Sequence, residues 1–593
     1  MSYKFLKSEI IVLILALLLS IPAVKEIWRP GYYPMHDDLQ LMRLLQIDKC
    51  TKDRQFPCRW VPDMGYGYGY PLFNFYPPMP YYLGELFRLL GLSFISTAKV
   101  IFTLSFLTSA AGMYFLGQKF WGRIGGLLSS VFYVYAPYHA TDLYVRGAVN
   151  ESWAMAWYPF VLLGIKSTID SPNPKNIALF SFSLAMLLLS HNPMTMIFFP
   201  LAAILTVYWI SEKKNYKSIL SLGLSSVWSL GLAAFFTIPV LLEQKYVHVE
   251  TLIIGYFNYL AHFLDLNQLF IRMNWGFGES VYGPNDTMSF NIGHLHWIGW
   301  VVVTVLALLS IKRNPARSKL ILLLSPVLLI YTFMTHSKST EIWKLIKPLE
   351  FLQFPWRLLT IITFGTSFII GSLPTFFSKK IFSVVSVSLI FAVIILNYKY
   401  FRWRDLWPWV DDSHKFSGEL WRLQTTAGIF DYLPKWAPLP PAGAPNGDGE
   451  IISGNGTTQA ITKKSNYQNH SIDVYSDQAK WRLNTFYFPG WKYVLDGKTV
   501  SVDPQKDLDP EVGRPEIFLS RGSHTFEAFF TETPVRSISN LISSISWIAF
   551  FVYLNHAYFF QNQNKKTSSK RLSKISGSRP NYGKHSPRKN KKL

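Results

Sequence analysis

The stretch IIVLILALLLSIPAV, residues 10–24, contains no charged side chain. Two further stretches, WVVVTVLALLSI at 300–311 and SVVSVSLIFAVIIL at 383–396, are also apolar on every side of a helix. Apolar helices of roughly 17–25 residues are what a bilayer core of about 30 Å requires. Only 16% of the residues are charged, whereas a soluble domain usually contains about 25%. The sequence therefore predicts a polytopic α-helical membrane protein.

The apolar stretches predict about twelve transmembrane helices, with a range of about 11 to 14. The range is wide because the spans that begin at 124, 153 and 177 are short enough to be re-entrant or broken helices. The predicted spans are 9–24, 97–116, 124–138, 153–165, 177–190, 194–210, 218–239, 297–311, 320–334, 358–375, 381–397 and 538–558.

Lysine and arginine are unevenly distributed between the two sides of this topology. If the N-terminus is cytoplasmic, the short inner segments contain 15 Lys and Arg among 46 residues, whereas the outer side has about one in ten. Cytoplasmic loops carry such an excess, so we expect both termini inside, in the cell (plasma or inner) membrane. A cleaved signal peptide, with Lys4 and Lys7 in its n-region, is the alternative for the first span.

The net charge of +22 does not by itself indicate a nucleic-acid partner. Eleven of the positive charges lie in residues 561–593, which contain no acidic residue. Such a polar segment after the last span predicts a disordered cytoplasmic tail attracted to anionic lipid, here assigned to 559–593. We therefore expect membrane lipid as a partner and no nucleic acid.

The two cysteines, Cys50 and Cys58, both lie in the first outer loop. A compartment that permits disulfides lies on that side of the membrane. The spacing permits either a disulfide that closes a small loop or two free thiols.

Residues 398–537 differ in composition from the membrane part at 1–397. They contain stretches typical of strands, such as ITKKSNYQNHSIDVYS at 461–476 and SHTFEAFF at 523–530. Asp496-Gly497 is a typical two-residue hairpin turn. The pattern predicts an extracytoplasmic β-sandwich domain at 398–537, inserted before the last helix at 538–558. Its aromatic residues Trp481, Trp491 and Tyr493 suggest either a buried core or platforms for glycan.

Two adjacent carboxylates follow the first span. Asp37 and Asp38 come directly after His36 in GYYPMHDDLQLMRLLQ, residues 31–46. Adjacent carboxylates repel each other, and a divalent cation or a nearby arginine relieves the repulsion. A solvated pair that caps the next helix is the alternative, since Asp is a good N-cap.

Further polar clusters lie at the same face of the predicted bundle. YHATDLYVRGAVNESW at 138–153 contains Arg146 and Glu151, SHNP at 190–193 contains His191, and LEFLQFPWR at 349–357 contains Arg357. Arginine suits phosphate because its planar fork donates two parallel hydrogen bonds. A lone arginine at a membrane boundary is more often a snorkelling anchor, so the prediction of a site depends on these clusters meeting.

Several of these stretches carry a family resemblance. YYPMHDDLQLMRLLQ, YPLFNFYPPMPYYLG, DLYVRGAVNESWA, LLLSHNP, LEFLQFPWR and YFPGWKYVLDG, in this order along the chain, resemble the membrane proteins grouped as "6-pyruvoyl-tetrahydropterin synthase-related" and their YfhO-like relatives. The acidic pair in the first outer loop is similar to that of the GT-C superfamily of membrane glycosyltransferases. Nothing in the chain resembles the soluble pterin synthase, so we give pterin chemistry no weight.

The resemblance implies a GT-C-like fold and the transfer of a sugar from a polyprenyl-phosphate donor to an extracytoplasmic glycan, lipid or protein acceptor. Asp37 and Asp38 would be catalytic, with Asp37 as general base and Asp38 as ligand of Mg²⁺ or Mn²⁺. Arg146 or Arg357 would bind the donor phosphate, and Glu151 or His191 would orient the acceptor. His36 would be a further substrate-binding residue. A single displacement would make the enzyme an inverting hexosyl or pentosyl transferase.

Three other functions remain open on the sequence alone. A transporter or flippase of lipid-linked sugars needs similar helices, but it predicts ionisable residues deep within spans. A non-catalytic protein of envelope assembly would use the β-domain to bind partners. An outer-face hydrolase would use the acid pair for a metal and water as the acceptor.

Overall fold

The computed structural model describes residues 3–283 and 285–576. The helices are α1 (Tyr3–Val24), α2 (Gln40–Lys52), α3 (Leu72–Phe75), α4 (Met79–Leu89), α5 (Phe94–Val134), α6 (Pro137–Ala140), α7 (Val149–Asp170), α8 (Pro174–Leu188), α9 (Asn192–Lys213), α10 (Ser218–Glu243), α11 (Leu266–Phe270), α12 (His294–Leu309), α13 (Pro315–Met334), α14 (Thr340–Leu345), α15 (Leu359–Ile370), α16 (Lys379–Asn397), α17 (Asp412–Lys415), α18 (Gly418–Thr426) and α19 (Pro534–Ser576). The strands are β1 (Gly449–Ser453), β2 (Gly456–Lys463), β3 (Tyr467–Leu483), β4 (Trp491–Leu495), β5 (Lys498–Val500) and β6 (Glu516–Phe530).

Eight of the described segments are long and apolar enough to cross a membrane. Each of the twelve predicted spans overlaps a helix. The eight segments account for nine of the spans, because α5 covers two of them. The shorter or less apolar helices α7, α8 and α12 account for the other three. The helix α5 is interrupted at Gly122, whose φ of 79° and ψ of 177° are not helical. The predicted polytopic helical fold is confirmed.

Large apolar side chains lie exposed along several of these helices. Leu18 in α1 is 55% exposed, Val207 in α9 is 66% exposed and Phe551 in α19 is 57% exposed. An apolar surface of this extent is unfavourable in water. In a bilayer it contacts lipid tails, while each helix satisfies its own backbone hydrogen bonds.

The last helix is longer than the sequence predicts. The predicted span ends at 558 and a disordered tail follows, whereas α19 continues to Ser576. Lysine and glutamine in this segment are good helix formers. The span was predicted from apolar residues alone, so its predicted end did not take them into account. Residues 577–593 lie outside the described residues, and the disorder of the tail stays a prediction.

The six strands form an antiparallel sheet, in the order β1-β3-β6-β4-β5 with β2 also paired to β3. The sequence predicts a sandwich, and hydrogen bonds join the described strands into one sheet. The strands form one sheet because β3 and β6 are long. These two strands pair from Tyr467 opposite Phe529 to Arg482 opposite Glu516. The antiparallel domain before the last span is confirmed. Asp496 and Gly497 have φ of 51° and 76°, as a type I′ turn between β4 and β5 requires.

The aromatic residues of the sheet form its core. Trp481 is fully buried and its ring lies 4.8 Å from that of Phe526. Tyr493 stacks on the same phenylalanine, and Trp491 packs edge-on against Phe530. Their burial corrects the hypothesis that these rings are exposed platforms for glycan, because a buried ring offers no face to a sugar.

The loop after α1, which the sequence predicts to be the first outer loop, is closed by a disulfide. Cys50, near the end of α2, is bonded to Cys58, and their Cα atoms are 5.5 Å apart. Within the closed loop, the Gln55 side-chain oxygen accepts hydrogen bonds from the backbone N–H groups of Arg59 and Trp60. The loop is therefore held by covalent and polar contacts despite its irregular backbone.

A buried polar network joins the last helix to the membrane part. Arg536, at the start of α19, donates from Nε to Glu243 Oε2 at the end of α10 over 2.7 Å. Both side chains are at most 2% exposed. Asn74 donates to the same Glu243 oxygen and Thr533 donates to the other. The network fixes where the chain re-enters the helical bundle after the sheet.

Loss of one partner of this buried pair is expected to destabilise the protein. In Arg536→Met the Glu243 carboxylate stays buried without its cation, which costs about 3–5 kcal/mol in other proteins. We expect a clearly lower midpoint of thermal unfolding for the purified protein in detergent. The double variant Arg536→Met with Glu243→Gln should recover part of the loss, and a single variant as stable as wild type would contradict the argument.

Candidate functional site

A cavity of about 720 Å³ lies among the loops that connect the helices. Its wall is formed by the first outer loop, the start of α7, the turn before α9, the segment before α15 and the region around α18. All seven predicted site residues line this cavity, namely His36, Asp37, Asp38, Arg146, Glu151, His191 and Arg357. The clusters that the sequence places at one rim of the bundle are thus brought together.

Backbone hydrogen bonds dock the first outer loop on the loop before α7. The N–H groups of His36 and Asp37 donate to the carbonyl oxygens of Val145 and Arg146 at 3.0 and 2.9 Å. Gly147 follows with a φ of +64°, and an added Cβ would lie 2.1 Å from the sulfur of Met35. The close approach of the two loops places the acid pair beside the arginine cluster.

Asp37 is held by two donors from α2. The Gln40 side-chain amide and the Arg43 guanidinium donate to its Oδ2 at 2.9 and 2.8 Å. Arg43 also lies over the ring of Tyr76, 4.2 Å from its centre. The Asp37 side chain is 35% exposed, so its carboxylate is oriented by α2 while it still reaches the cavity.

Asp38 has a different set of partners. The Lys415 ammonium, only 1% exposed, donates to Asp38 Oδ2 at 2.7 Å, and the Tyr32 hydroxyl donates to Oδ1. Burial raises the pKa of Asp38 to about 6, although the positive charge of Lys415 acts in the opposite direction. The two adjacent acids therefore need no shared cation, because each has its own basic partner.

A buried ion cluster forms the opposite wall of the cavity. Glu151 receives two hydrogen bonds from Arg146, at 2.6 and 2.7 Å, and one from Arg357 Nε at 2.8 Å. Arg146 also contacts Asp142 at 2.7 Å. Burial raises the pKa of Asp142 well above its ordinary value, which favours the neutral acid. With Asp142 neutral, two guanidinium groups face one carboxylate, an arrangement that suits an anion.

The two histidines of the site are neutral at physiological pH. Burial lowers the pKa of His191 to about 3, and it also lowers the pKa of His36. The backbone N–H of Met194 donates to His191 Nδ1, so the proton of the ring is on Nε2, which lies 3.9 Å from Glu151 Oε1. His36 Nε2 lies 3.1 Å from the carbonyl oxygen of Phe277. Both rings can therefore serve as neutral hydrogen-bonding groups in the cavity wall.

The structure adds residues that sequence reasoning missed. Lys415, Arg43 and Asp431 line the cavity, and burial raises the pKa of Asp431 to about 7. Arg43 had a signal in the sequence, since it lies in the helix that directly follows the acid pair. Two other polar residues of the predicted clusters point elsewhere. His139 is buried against Tyr133, and Glu350 pairs with Lys347.

Basic side chains already bind the acid pair at which the sequence predicts a possible divalent cation. Mg²⁺ and Mn²⁺ are bound by carboxylate oxygens, but here Lys415 and Arg43 occupy one oxygen of each acid. In the described part of the chain, no group of three or more His, Cys, Asp or Glu side chains is placed to hold a metal ion. The structure thus shows an ion pair where the sequence predicts a metal ligand at Asp38.

The fold and this cavity define a polytopic helical membrane protein with a polar site built from the loops between its helices. The model of a family described as "6-pyruvoyl-tetrahydropterin synthase related domain; membrane protein" matches residues 73–404. Because the match covers more than half of the chain, the protein belongs to this membrane family, which confirms the family resemblance. An uncharacterized protein of Lactococcus lactis subsp. cremoris is 23% identical over 242 residues, which are 39% of either chain.

The solved structures similar to this chain include an arabinofuranosyltransferase and oligosaccharyltransferases. The arabinofuranosyltransferase AftD from Mycobacteria is 15% identical with a TM-score of 0.39, over 69% of this chain and 28% of AftD. An Archaeoglobus fulgidus oligosaccharyltransferase, in complex with Zn and sulfate, is 13% identical with a TM-score of 0.39, over 66% of this chain and 53% of that one. The oligosaccharyltransferase AglB from the same organism, in complex with an inhibitory peptide and a dolichol-phosphate, is 11% identical with a TM-score of 0.38, over 68% of this chain and 56% of that one.

Gly147→Ala is expected to disturb the docking of the two loops. An alanine in the left-handed region costs about 1–2 kcal/mol, and its Cβ would also collide with Met35. We expect a lower midpoint of thermal unfolding. Gly223→Ala is the matched control, because an added Cβ there meets open space in α10 and alanine favours a helix. Equal midpoints for the two variants would contradict the close approach.

Proposed function

We propose that the protein transfers a sugar from a polyprenyl-phosphate donor to an acceptor on the extracytoplasmic side of the membrane. The observation that carries this proposal is the convergence of an acid pair and two arginines on one cavity of about 720 Å³. A volume of this size suits a ligand of several hundred daltons. The acceptor is a glycan, lipid or protein with a free hydroxyl group.

The proposal includes an orientation in the cell membrane. Both termini are cytoplasmic, and the loops that form the cavity are extracytoplasmic, as is the region 398–537 with its sheet. The lysine and arginine bias of the short inner segments supports this orientation. In domain terms, 1–397 is a multi-span part with the site, 538–558 is the last span and 559–593 is a basic tail.

The arginine cluster is the proposed site of the donor phosphate. Arg146 and Arg357 face the cavity, and Glu151 lies between them. Glu151 holds both guanidinium groups in place. The two arginine side chains therefore lose little further conformational entropy when a phosphate binds. The excess positive charge of the cluster stabilises the charge that develops on the phosphate as it leaves. A lipid-linked donor would keep its phosphate at this depth and its chain in the bilayer.

Asp37 is the proposed general base. Among the described residues, both of its side-chain hydrogen bonds end on Oδ2, which leaves Oδ1 for the hydroxyl of an acceptor. The hydroxyl oxygen forms a bond to the anomeric carbon, its proton passes to Asp37, and the bond from that carbon to the phosphate oxygen breaks. The electron pair of that bond leaves with the phosphate. This single displacement inverts the configuration of the transferred hexose or pentose.

Asp38 has a positioning role in this proposal. Its pairing with Lys415 keeps a positive charge beside the acid pair, where the sequence predicts a divalent ion. Lys415 also lies 4.2 Å from the centre of the Tyr32 ring, which holds the ammonium in place. The charge that a metal would supply is therefore provided by the chain itself. Glu151 and His191 orient substrate groups, and His36 forms part of the wall.

Replacement of Asp37 tests the transferase proposal. Purified protein in lipid is given a panel of polyprenyl-phosphate sugars with candidate acceptors, and released polyprenyl phosphate is measured. We expect turnover by wild type and a loss of about a hundredfold or more in Asp37→Asn, since general base catalysis contributes about 10²–10⁴. Asp405→Asn, at an exposed acid paired with Arg404, is the matched control. Equal turnover by Asp37→Asn and wild type would contradict the role of Asp37, and water as the only acceptor would indicate a hydrolase.

Metal removal tests the role of Lys415. We expect the turnover of wild type to be unchanged by EDTA and by added Mg²⁺ or Mn²⁺, because Lys415 already balances the charge of Asp38. Lys415→Met should lose about a hundredfold, as expected for the loss of one preorganised charge, while Lys435→Met, at an exposed lysine, should not. Activity that EDTA abolishes and Mn²⁺ restores would place a divalent cation at Asp38 instead.

A further inference from the structure

A second cavity of about 230 Å³ lies at the opposite end of the helices. Residues from the middle of α5 and from the ends of α7 and α9 line it, together with the first turn of α13. Helix α7 reaches both cavities, since Glu151 lines the first and Asp170 lines the second. Nineteen residues of helix span about 28 Å, which is close to the thickness of the hydrocarbon core. The second cavity therefore lies at the other membrane boundary.

The charge of this cavity is strongly unbalanced. Its lining contains four basic residues and two acids, listed together as Lys119, Lys166, Lys213, Arg317, Asp170 and Glu212. Three of the lysines share the carboxylate of Asp170, with Lys119 at 3.0 Å, Lys213 at 3.8 Å and Lys166 in direct contact. The two carboxylates leave two of the four positive charges unbalanced, so the cavity attracts a further anion.

Two further observations point to an anion with several acceptor oxygens. The indole Nε1–H of Trp209, which lines the cavity and is 1% exposed, has no hydrogen-bond partner among the described residues. A buried donor of this kind is costly unless an acceptor reaches it. The first turn of α13 also lines the cavity through Ala316 and Arg317, and the start of a helix of 20 residues favours negative charge.

We propose that this cavity binds the phosphate of an anionic phospholipid of the inner leaflet. The location at the membrane boundary favours a lipid headgroup over a free phosphate ion, because exposed apolar residues such as Val207 continue from the cavity along α9. Acyl chains would lie on that surface while the phosphate contacts the lysines. The stacked pair of Phe120 and Trp209, with ring centres 5.5 Å apart, forms the apolar wall. Lipid binding here is independent of the transferase proposal, and only the choice of leaflet rests on the proposed orientation.

The experiment measures lipid binding by the full-length protein in detergent. Phosphatidylglycerol and phosphatidylcholine are titrated separately, and retained lipid is counted by native mass spectrometry. We expect phosphatidylglycerol to bind at least about tenfold more tightly, since each basic residue near an anionic lipid contributes appreciably. Lys213→Gln with Arg317→Gln removes two exposed charges of the cavity, so the variant should fold, and it should lose most of that preference.

Lys312→Gln with Arg313→Gln is the matched control. Both residues are exposed, both lie close to Arg317 in the sequence, and neither lines the cavity. This control should keep the preference within about twofold. A third titration uses inorganic phosphate with the midpoint of thermal unfolding as readout. Stabilisation by inorganic phosphate equal to that by phosphatidylglycerol would overturn the lipid assignment. Equal losses in both double variants, or no preference for phosphatidylglycerol in wild type, would overturn the site.

Discussion

The Glu151 carboxylate, bonded to Arg146 and Arg357, is the interaction on which the rest of the 720 Å³ cavity depends. Arg146 lies in the loop before α7, Glu151 at the start of α7 and Arg357 in the segment before α15, so one ion cluster joins two distant parts of the chain. A buried carboxylate with two cations is stable only when its hydrogen bonds are nearly all satisfied. Once the cluster forms, the backbone at 145–146 has a fixed position, and the first outer loop docks on it.

This arrangement explains why the two acids of the first loop have unlike environments. Asp37 is bound by residues of the helix that follows it, whereas Asp38 is bound by Tyr32 and by Lys415, far along the chain. Sequence neighbours therefore face different partners. Because the partners are separate, α2 orients the Asp37 carboxylate while Lys415 balances the charge of Asp38.

Much of the site could be predicted from the sequence because membrane topology restricts position. Polar clusters at the same ends of the spans must all lie at one membrane boundary. His191 and Arg357 were therefore expected to lie close to Asp37, and all three line the same cavity. Lys415 could not be predicted, because it lies in the one-turn helix α17, 377 residues from Asp38, and no sequence periodicity indicates such a contact. The pairing of the strands could not be predicted either. Alternation of apolar and polar residues identifies a strand, but it does not show over what length β3 and β6 pair.

Lys415 also bears on the order in which the protein is completed. The helix α17 that carries it is held by Asp412, whose carboxylate accepts hydrogen bonds from the backbone N–H groups of Phe94 and Ile95 at the start of α5. Synthesis of the chain passes Asp38 and every span through α16 before this lysine is made. Until then the helices enclose an acid without its counterion, and a phosphate entering the open cavity would meet uncompensated negative charge. On the proposed function, the newly inserted helical bundle would therefore bind its anionic ligand more weakly until the segment that leads to the sheet has joined it.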